Sequence, residues 1–223
     1  NAAGTAAVGN AGGGVCICIG GASGTVLGGP NPGERNVISG NASAGLTITD
    51  VGTVDVRGNF IGTSAGGAVA IPNYQGVVLT ADGLTLGGIG PGYGNLISGN
   101  TTHGVLLGGD ANALFGNLIG TDFSGLGGIP NGGAGVFIFT GVQNIIGTVS
   151  GGNVIAFNAG TGVHIDGAFT HSNRVLGNSI HSNGGPGIDL VNGANNSMPA
   201  PSVTSVNGTT VTGVGCPNCT ISI

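Results

Sequence analysis

The sequence has no lysine and no tryptophan, and charged residues fill only 5% of its 223 positions. Its three cations, Arg35, Arg57 and Arg174, face eight acids, for a formal charge of -5. Nucleic-acid binding needs a basic stripe that displaces counterions from phosphates, so no nucleic-acid partner is expected. No apolar run approaches the roughly 18 residues that would mark a bilayer-crossing helix. Aromatics are scarce, at 4%, and the only tyrosines are Tyr74 and Tyr93. Sugar binding usually exploits aromatic platforms, so a carbohydrate partner has only these two residues to rest on. The four cysteines fall at opposite ends, Cys16 and Cys18 near one and Cys216 and Cys219 near the other. A four-cysteine metal site would need both pairs together, so no metal and no cofactor is expected. Disulfides or free thiols are the better reading, although a bridge between Cys16 and Cys18, two apart on one strand face, should be strained.

What the chain does have is glycine, 52 residues of it, together with 39% hydrophobic residues. There is no Gly-X-Y period, which excludes collagen, and the valines, isoleucines and leucines recur too regularly for a disordered chain. Glycine at this density costs about 1 kcal/mol per position in a helix, so helices are excluded as well.

A Gly-apolar-x-apolar tetrad repeats at Gly14, Gly45, Gly76, Gly104, Gly135, Gly162 and Gly187. A second marker, Asn-x-Ile, falls once between each pair of tetrads, at Asn36, Asn59, Asn95, Asn117, Asn153 and Asn178. The spacing fits one turn of a three-sided coil of short strands. Stacked coils would set these asparagines about 4.8 Å apart, close enough for their amides to form a ladder. The coils also alternate. The first, third and fifth carry insertions before the asparagine, at 30–35, 88–94 and 148–152. The second and fourth carry them after Ile-Gly-Thr, at 64–75 and 122–134. The true unit is therefore a pair of turns.

These patterns predict an all-β, right-handed parallel β-helix of about six to seven turns over residues 1–190. A linker at 191–200 and a short β-strand appendage at 201–223 would follow. The runs NVISGN (36–41), GNFIGT (58–63), NLISGN (95–100) and GNLIGT (116–121) resemble the parallel β-helix repeats of large bacterial secreted and surface proteins, of pectate-lyase-like fold. The tail from Pro201 resembles the start of an immunoglobulin-like module. The resemblance implies an extracellular or cell-surface location, but the superfamily holds lyases, hydrolases, tailspikes and plain stalks alike.

Strand alternation points the tetrad's middle residues outward, giving Cys16, Thr47, Val78, Leu106, Phe137, His164 and Asp189. On the Asn-marked strand the outward residues are Val37, Phe60, Leu96, Leu118, Val154 and Ser179. Neither column offers paired carboxylates in its central coils, so the chain is not expected to be an enzyme. If it were a polysaccharide lyase or glycoside hydrolase, His164 and Asp189 would be its best candidates, with Asp166, Arg174 and His181 converging on them. The alternative is a polar cap closing the solenoid. Asp50, Asp82, Asp110 and Asp166 follow the tetrad strand and could hold calcium between coils. Their irregular offsets favour ordinary turn chemistry. The stripes Val78, Leu106, Phe137 and Val37, Phe60, Leu96, Leu118, Val154 would form an interaction surface if bare, unless inserted loops cover them. The expected function is structural, as a stalk, surface-layer or fibre subunit that self-associates end to end or side by side. The alternatives are the enzyme above and an adhesin binding through an apolar stripe.

Overall fold

The computed structural model describes residues 6–18, 20, 23–50, 52–199, 202–207 and 210–214. Cys216, Cys219 and the segment 215–223 lie outside the described residues. The chain winds as a parallel β-solenoid of about six turns with three faces. Each turn contributes one short strand to each face in strict rotation, and strands are numbered in chain order.

The first face has seven strands: β1 (Val15–Ile17), β4 (Ala44–Ile48), β7 (Gln75–Leu79), β10 (Val105–Leu107), β13 (Val136–Ile138), β16 (Val163–Asp166) and β19 (Ile188–Val191). The second has six: β2 (Thr25–Leu27), β5 (Val54–Val56), β8 (Thr85–Gly87), β11 (Ala113–Phe115), β14 (Ile145–Ile146) and β17 (Arg174–Val175). The third also has six: β3 (Val37–Ile38), β6 (Phe60–Ile61), β9 (Leu96–Ile97), β12 (Leu118–Ile119), β15 (Val154–Ala156) and β18 (Ser179–His181). The tetrads form the first face in register, as in Val105 opposite Val77 and Val136. The Asn-x-Ile motifs form the third, with Ile38, Ile61, Ile97, Ile119 and Ile155 stacked inward and buried. Each such side chain, fully buried, contributes about 1.5–3 kcal/mol. Beyond the solenoid, β20 (Ser202–Asn207) and β21 (Thr210–Val214) pair as an antiparallel hairpin. Among the described residues no helix is long and apolar enough to cross a membrane.

Asparagine ladders run up all three corners. At the second corner, before the third face, Asn36 Nδ2 donates to Asn59 Oδ1 at 2.9 Å, and the chain of amides continues through Asn95, Asn117 and Asn153 to Asn178. Each amide from Asn59 onward also donates to a main-chain carbonyl of the coil before, such as Asn117 to Leu86 O at 2.9 Å. The third corner carries a ladder that the sequence reading missed: Asn10, Asn41, Asn73, Asn100, Asn131, Asn158 and Asn183. The first corner has one only from the fourth coil on, at Asn112, Asn144, Asn173 and Asn195.

The third-corner ladder explains the tetrad's glycine. A Cβ on Gly104 would lie 2.9 Å from Asn131 Nδ2 and 3.0 Å from the Ile119 methyl, and would press on the carbonyl of Gly135. Only a residue without Cβ lets the coil approach its ladder this closely. The insertions alternate between the second and third corners, and same-corner insertions touch across the intervening coil. Gly92 packs on Pro30 at the second corner, and Phe123 N–H donates to Gly67 O at 2.9 Å at the third.

The solenoid also runs further than the expected boundary at 190. Val191 belongs to β19, Ala194 is 1% exposed within the core, and Asn195 joins the first-corner ladder. These residues satisfy the last coil's polar groups, so residues 191–195 are coil and not linker.

Candidate functional site

The two outward apolar stripes have opposite fates. On the third face, Phe60 and Leu96 are 2% and 1% exposed although they point away from the core. The insertions fold back over them. Phe123, from the 122–134 insertion, sets its ring 5.1 Å from Phe60, and the Arg35 guanidinium lies 3.9 Å above Phe60 and 5.0 Å from Phe123. Arg35 Nε donates to Gly58 O at 3.3 Å, which fixes the cation over the rings. Leu118 and Val154 are half-buried, and Val37 alone is exposed. Of the stripe Val37, Phe60, Leu96, Leu118 and Val154, the chain's own loops therefore occupy the part at Phe60 and Leu96.

On the first face Val78, Leu106 and Phe137 are half-buried. Phe137 is the centre of a cluster. His103 and His164 each lie 5.0 Å from its ring, and Phe139 lies 6.3 Å away, edge-on. Parallel register sets His164 beside Asp189 one coil on, and His164 Nδ1 meets Asp189 Oδ2 at 3.0 Å. Their side chains are 24% and 32% exposed. His103 Nδ1 accepts the Ala134 N–H at 3.0 Å, which leaves the ring proton on Nε2. Burial first, and then the neighbouring His164, push its pKa below the ordinary histidine value.

A carboxylate-oriented imidazole is one part of a general-base arrangement, and such chemistry needs a nucleophile or a second acid within reach. Among the described residues no hydroxyl or thiol is hydrogen-bonded to His164. Nor do Arg174 and His181 gather there. Arg174 lies on β17 of the second face and His181 on β18 of the third, where its ring stacks edge-on to Phe157 at 5.8 Å. Asp166 accepts a hydrogen bond from Asn192 Nδ2 at 2.7 Å. The expected convergence of Arg174 and His181 on His164 fails because the three-sided coil sets them on the second and third faces, whereas Asp166 shares β16 with His164 but is hydrogen-bonded to Asn192. Sequence proximity within one coil does not make residues neighbours; only equal register does.

The turn aspartates act along the coil axis. Asp82 Oδ1 accepts the Asp110 N–H at 2.7 Å, and Asp110 Oδ1 accepts the Val142 N–H at 2.8 Å. Among the described residues no three His, Cys, Asp or Glu side chains group to hold a metal ion. Tyr74 lies in the 64–75 insertion at the third corner, whereas Tyr93 lies in the 88–94 insertion at the second, with the Arg57 guanidinium 5.2 Å from its ring. The tyrosines thus form no common platform. Cys16 and Cys18 are joined as a disulfide with Cα atoms 5.4 Å apart.

Comparison with family models, curated proteins and solved structures finds no match in any of the three.

Proposed function

We propose that the chain is a rigid extracellular scaffold, a stalk, surface-layer or fibre subunit, without catalytic activity. The observation that carries this reading is the second-corner ladder, unbroken from Asn36 to Asn178 through six coils. Every coil is tied to the next by side-chain amides as well as by three strands, which suits a part that bears load along its axis. The likeness of its repeats to those of bacterial secreted and surface proteins supports the location. Sparse charge leaves little repulsion between copies and supports self-association, laterally or end to end.

A specific observation favours adhesion as a second reading. On the third face Phe60 and Leu96 are covered by the chain's own loops, while Phe139 on the first is 41% exposed beside Phe137. The test is to incubate the purified chain with pectin, alginate and related polyanions and to follow its sedimentation over a range of concentrations. Release of no unsaturated or reducing ends, with mass growing with concentration, is the expected result. Products that vanish in His164→Ala would replace the scaffold by an enzyme. Monomers throughout would sink the self-association.

A further inference from the structure

Asn-Gly dipeptides are the places where an asparagine side chain is most open to attack by the following main-chain nitrogen, since glycine presents no Cβ in the way. Three of them have both residues described: Asn131–Gly132, Asn183–Gly184 and Asn192–Gly193. The fold treats them differently. Asn131 is fully buried, its Nδ2 donates to Ile97 O at 3.0 Å and Asn158 Oδ1 at 2.9 Å, and its Oδ1 accepts from Asn100. The Gly132 N–H is bound to Asn100 O at 2.9 Å. Asn183 is held in the same way, by Asn158 Nδ2 and by its own donation to Ile155 O at 2.9 Å, and the Gly184 N–H is bound to Asn158 O at 2.8 Å. In both, the attacking nitrogen and the amide under attack are tied to the neighbouring coils.

Asn192 is exposed, and among the described residues its one side-chain hydrogen bond runs from Nδ2 to Asp166 Oδ1. Among the described residues no hydrogen bond engages the Gly193 N–H. Asn192 is also held at φ 53°, in the left-handed region.

We propose that Asn192 is a site of spontaneous deamidation in the folded protein, and that the third-corner ladder shields Asn131 and Asn183 from the same reaction. The Gly193 nitrogen attacks Asn192 Cγ, the Cγ–Nδ2 bond breaks, and Nδ2 leaves as ammonia with the proton that nitrogen gives up. Water then opens the succinimide at either carbonyl, to aspartate or isoaspartate. The product replaces the Asn192–Asp166 hydrogen bond by two facing carboxylates, which repel. Since Asp166 pairs with Val191 across β16 and β19, this change loosens the last strand of the first face.

Peptide mapping of the full chain aged in mildly alkaline buffer, native and in denaturant, tests the assignment. In denaturant the three sites should convert at similar rates. In the fold Asn192 should keep close to that rate, while Asn131 and Asn183 slow by about a hundredfold or more, because they react only through local opening. Equal conversion of Asn131 or Asn183 in the native chain, or a native Asn192 as slow as they are, would overturn it. Hydrogen exchange tests the consequence separately. Amides of β19 should lose protection in Asn192→Asp and regain it when Asp166→Asn is added; unchanged protection in Asn192→Asp refutes the loosening.

Discussion

The first three coils and the later ones turn the first corner by different means. From the fourth coil on, amides do it. Asn112 N–H donates to Asn144 Oδ1 at 2.8 Å, and Asn144 Nδ2 donates to Asn173 Oδ1 at 2.9 Å. In the second and third coils the same positions, fixed by strand register, hold Val54 and Leu84, each 2% exposed. The two solutions meet at Asn112, whose Oδ1 accepts the Leu84 N–H at 2.8 Å while its Nδ2 is buried without a partner among the described residues. One backbone path thus tolerates either a hydrogen-bonded column or an aliphatic one, and the stacked strands set the corner. The amide column matters where it is buried and continuous, because each member satisfies main-chain groups that would otherwise be orphaned.

The comparison can be broken most sharply at the second corner, where no described coil uses an apolar substitute. Asn117→Ala would strand the Asn95 N–H and the Leu86 carbonyl in the core. With two groups at about 2 kcal/mol each, denaturant melts should show a loss of about 4 kcal/mol. A loss under about 1 kcal/mol would mean that the ladders decorate a fold held by its strands alone. Asn144→Leu, an aliphatic residue inside the amide segment, should cost about 2–3 kcal/mol, since the Asn112 N–H loses its acceptor. Asn112→Leu, at the junction, should cost about 1 kcal/mol, because it forfeits one bond from Leu84 and removes a donor that has no partner. If Asn112→Leu proved the costlier of the two, the junction would be a keystone and the account of two interchangeable solutions would fail.

The smallest effect distinguishes the halves by pH. His103, Phe137 and His164 all belong to the later coils, and His103 has its folded pKa lowered from the usual 6.5 by burial and by His164. The unfolded chain therefore binds the proton first as pH falls. Stability from this group is complete above about pH 6.5 and declines below it, towards the folded value. Hydrogen exchange should show protection falling below that pH around β10 and β13 and not around β4, and His103→Gln should flatten the difference. A slope that persists in that variant would rule out His103 as its source.

Much of this architecture was legible because a solenoid writes its register into the sequence. The tetrads and the Asn-x-Ile motifs mark the first and third faces, and the change of insertion site from coil to coil marks the two-turn unit. The third-corner ladder also leaves a signal in the sequence. Asn41, Asn100, Asn158 and Asn183 each fall five residues after a second-corner asparagine, whereas Asn73 and Asn131 follow at fourteen because the insertions intervene. The first-corner ladder could not be read as a repeat, since the second and third coils hold Val54 and Leu84 at its positions. The surface was harder to read. Whether Phe60 is bare or roofed depends on the path of loops such as 122–134, whose composition of Gly, Ser and Pro signals a turn but not its direction. The pairing of His164 with Asp189 follows from register, but the dispersal of Arg174 and His181 required counting which of three faces each occupies.

The alternating insertions also govern how such a chain can change length. Stacked strands rise by about 4.8 Å per coil, so a loop recurring at one corner every second coil has about 9.6 Å of height to occupy. Pro30 and Gly92 already touch across that height, as do Gly67 and Phe123. Excising a single coil would drive like loops into half the space, whereas excising a pair would join compatible surfaces. Lengthening and shortening by recombination should therefore proceed in steps of two coils, the distance of 58 residues from Asn59 to Asn117. The loops act as a coarser ruler laid over the strands, and a duplication that misreads it would leave a seam where the stack no longer closes.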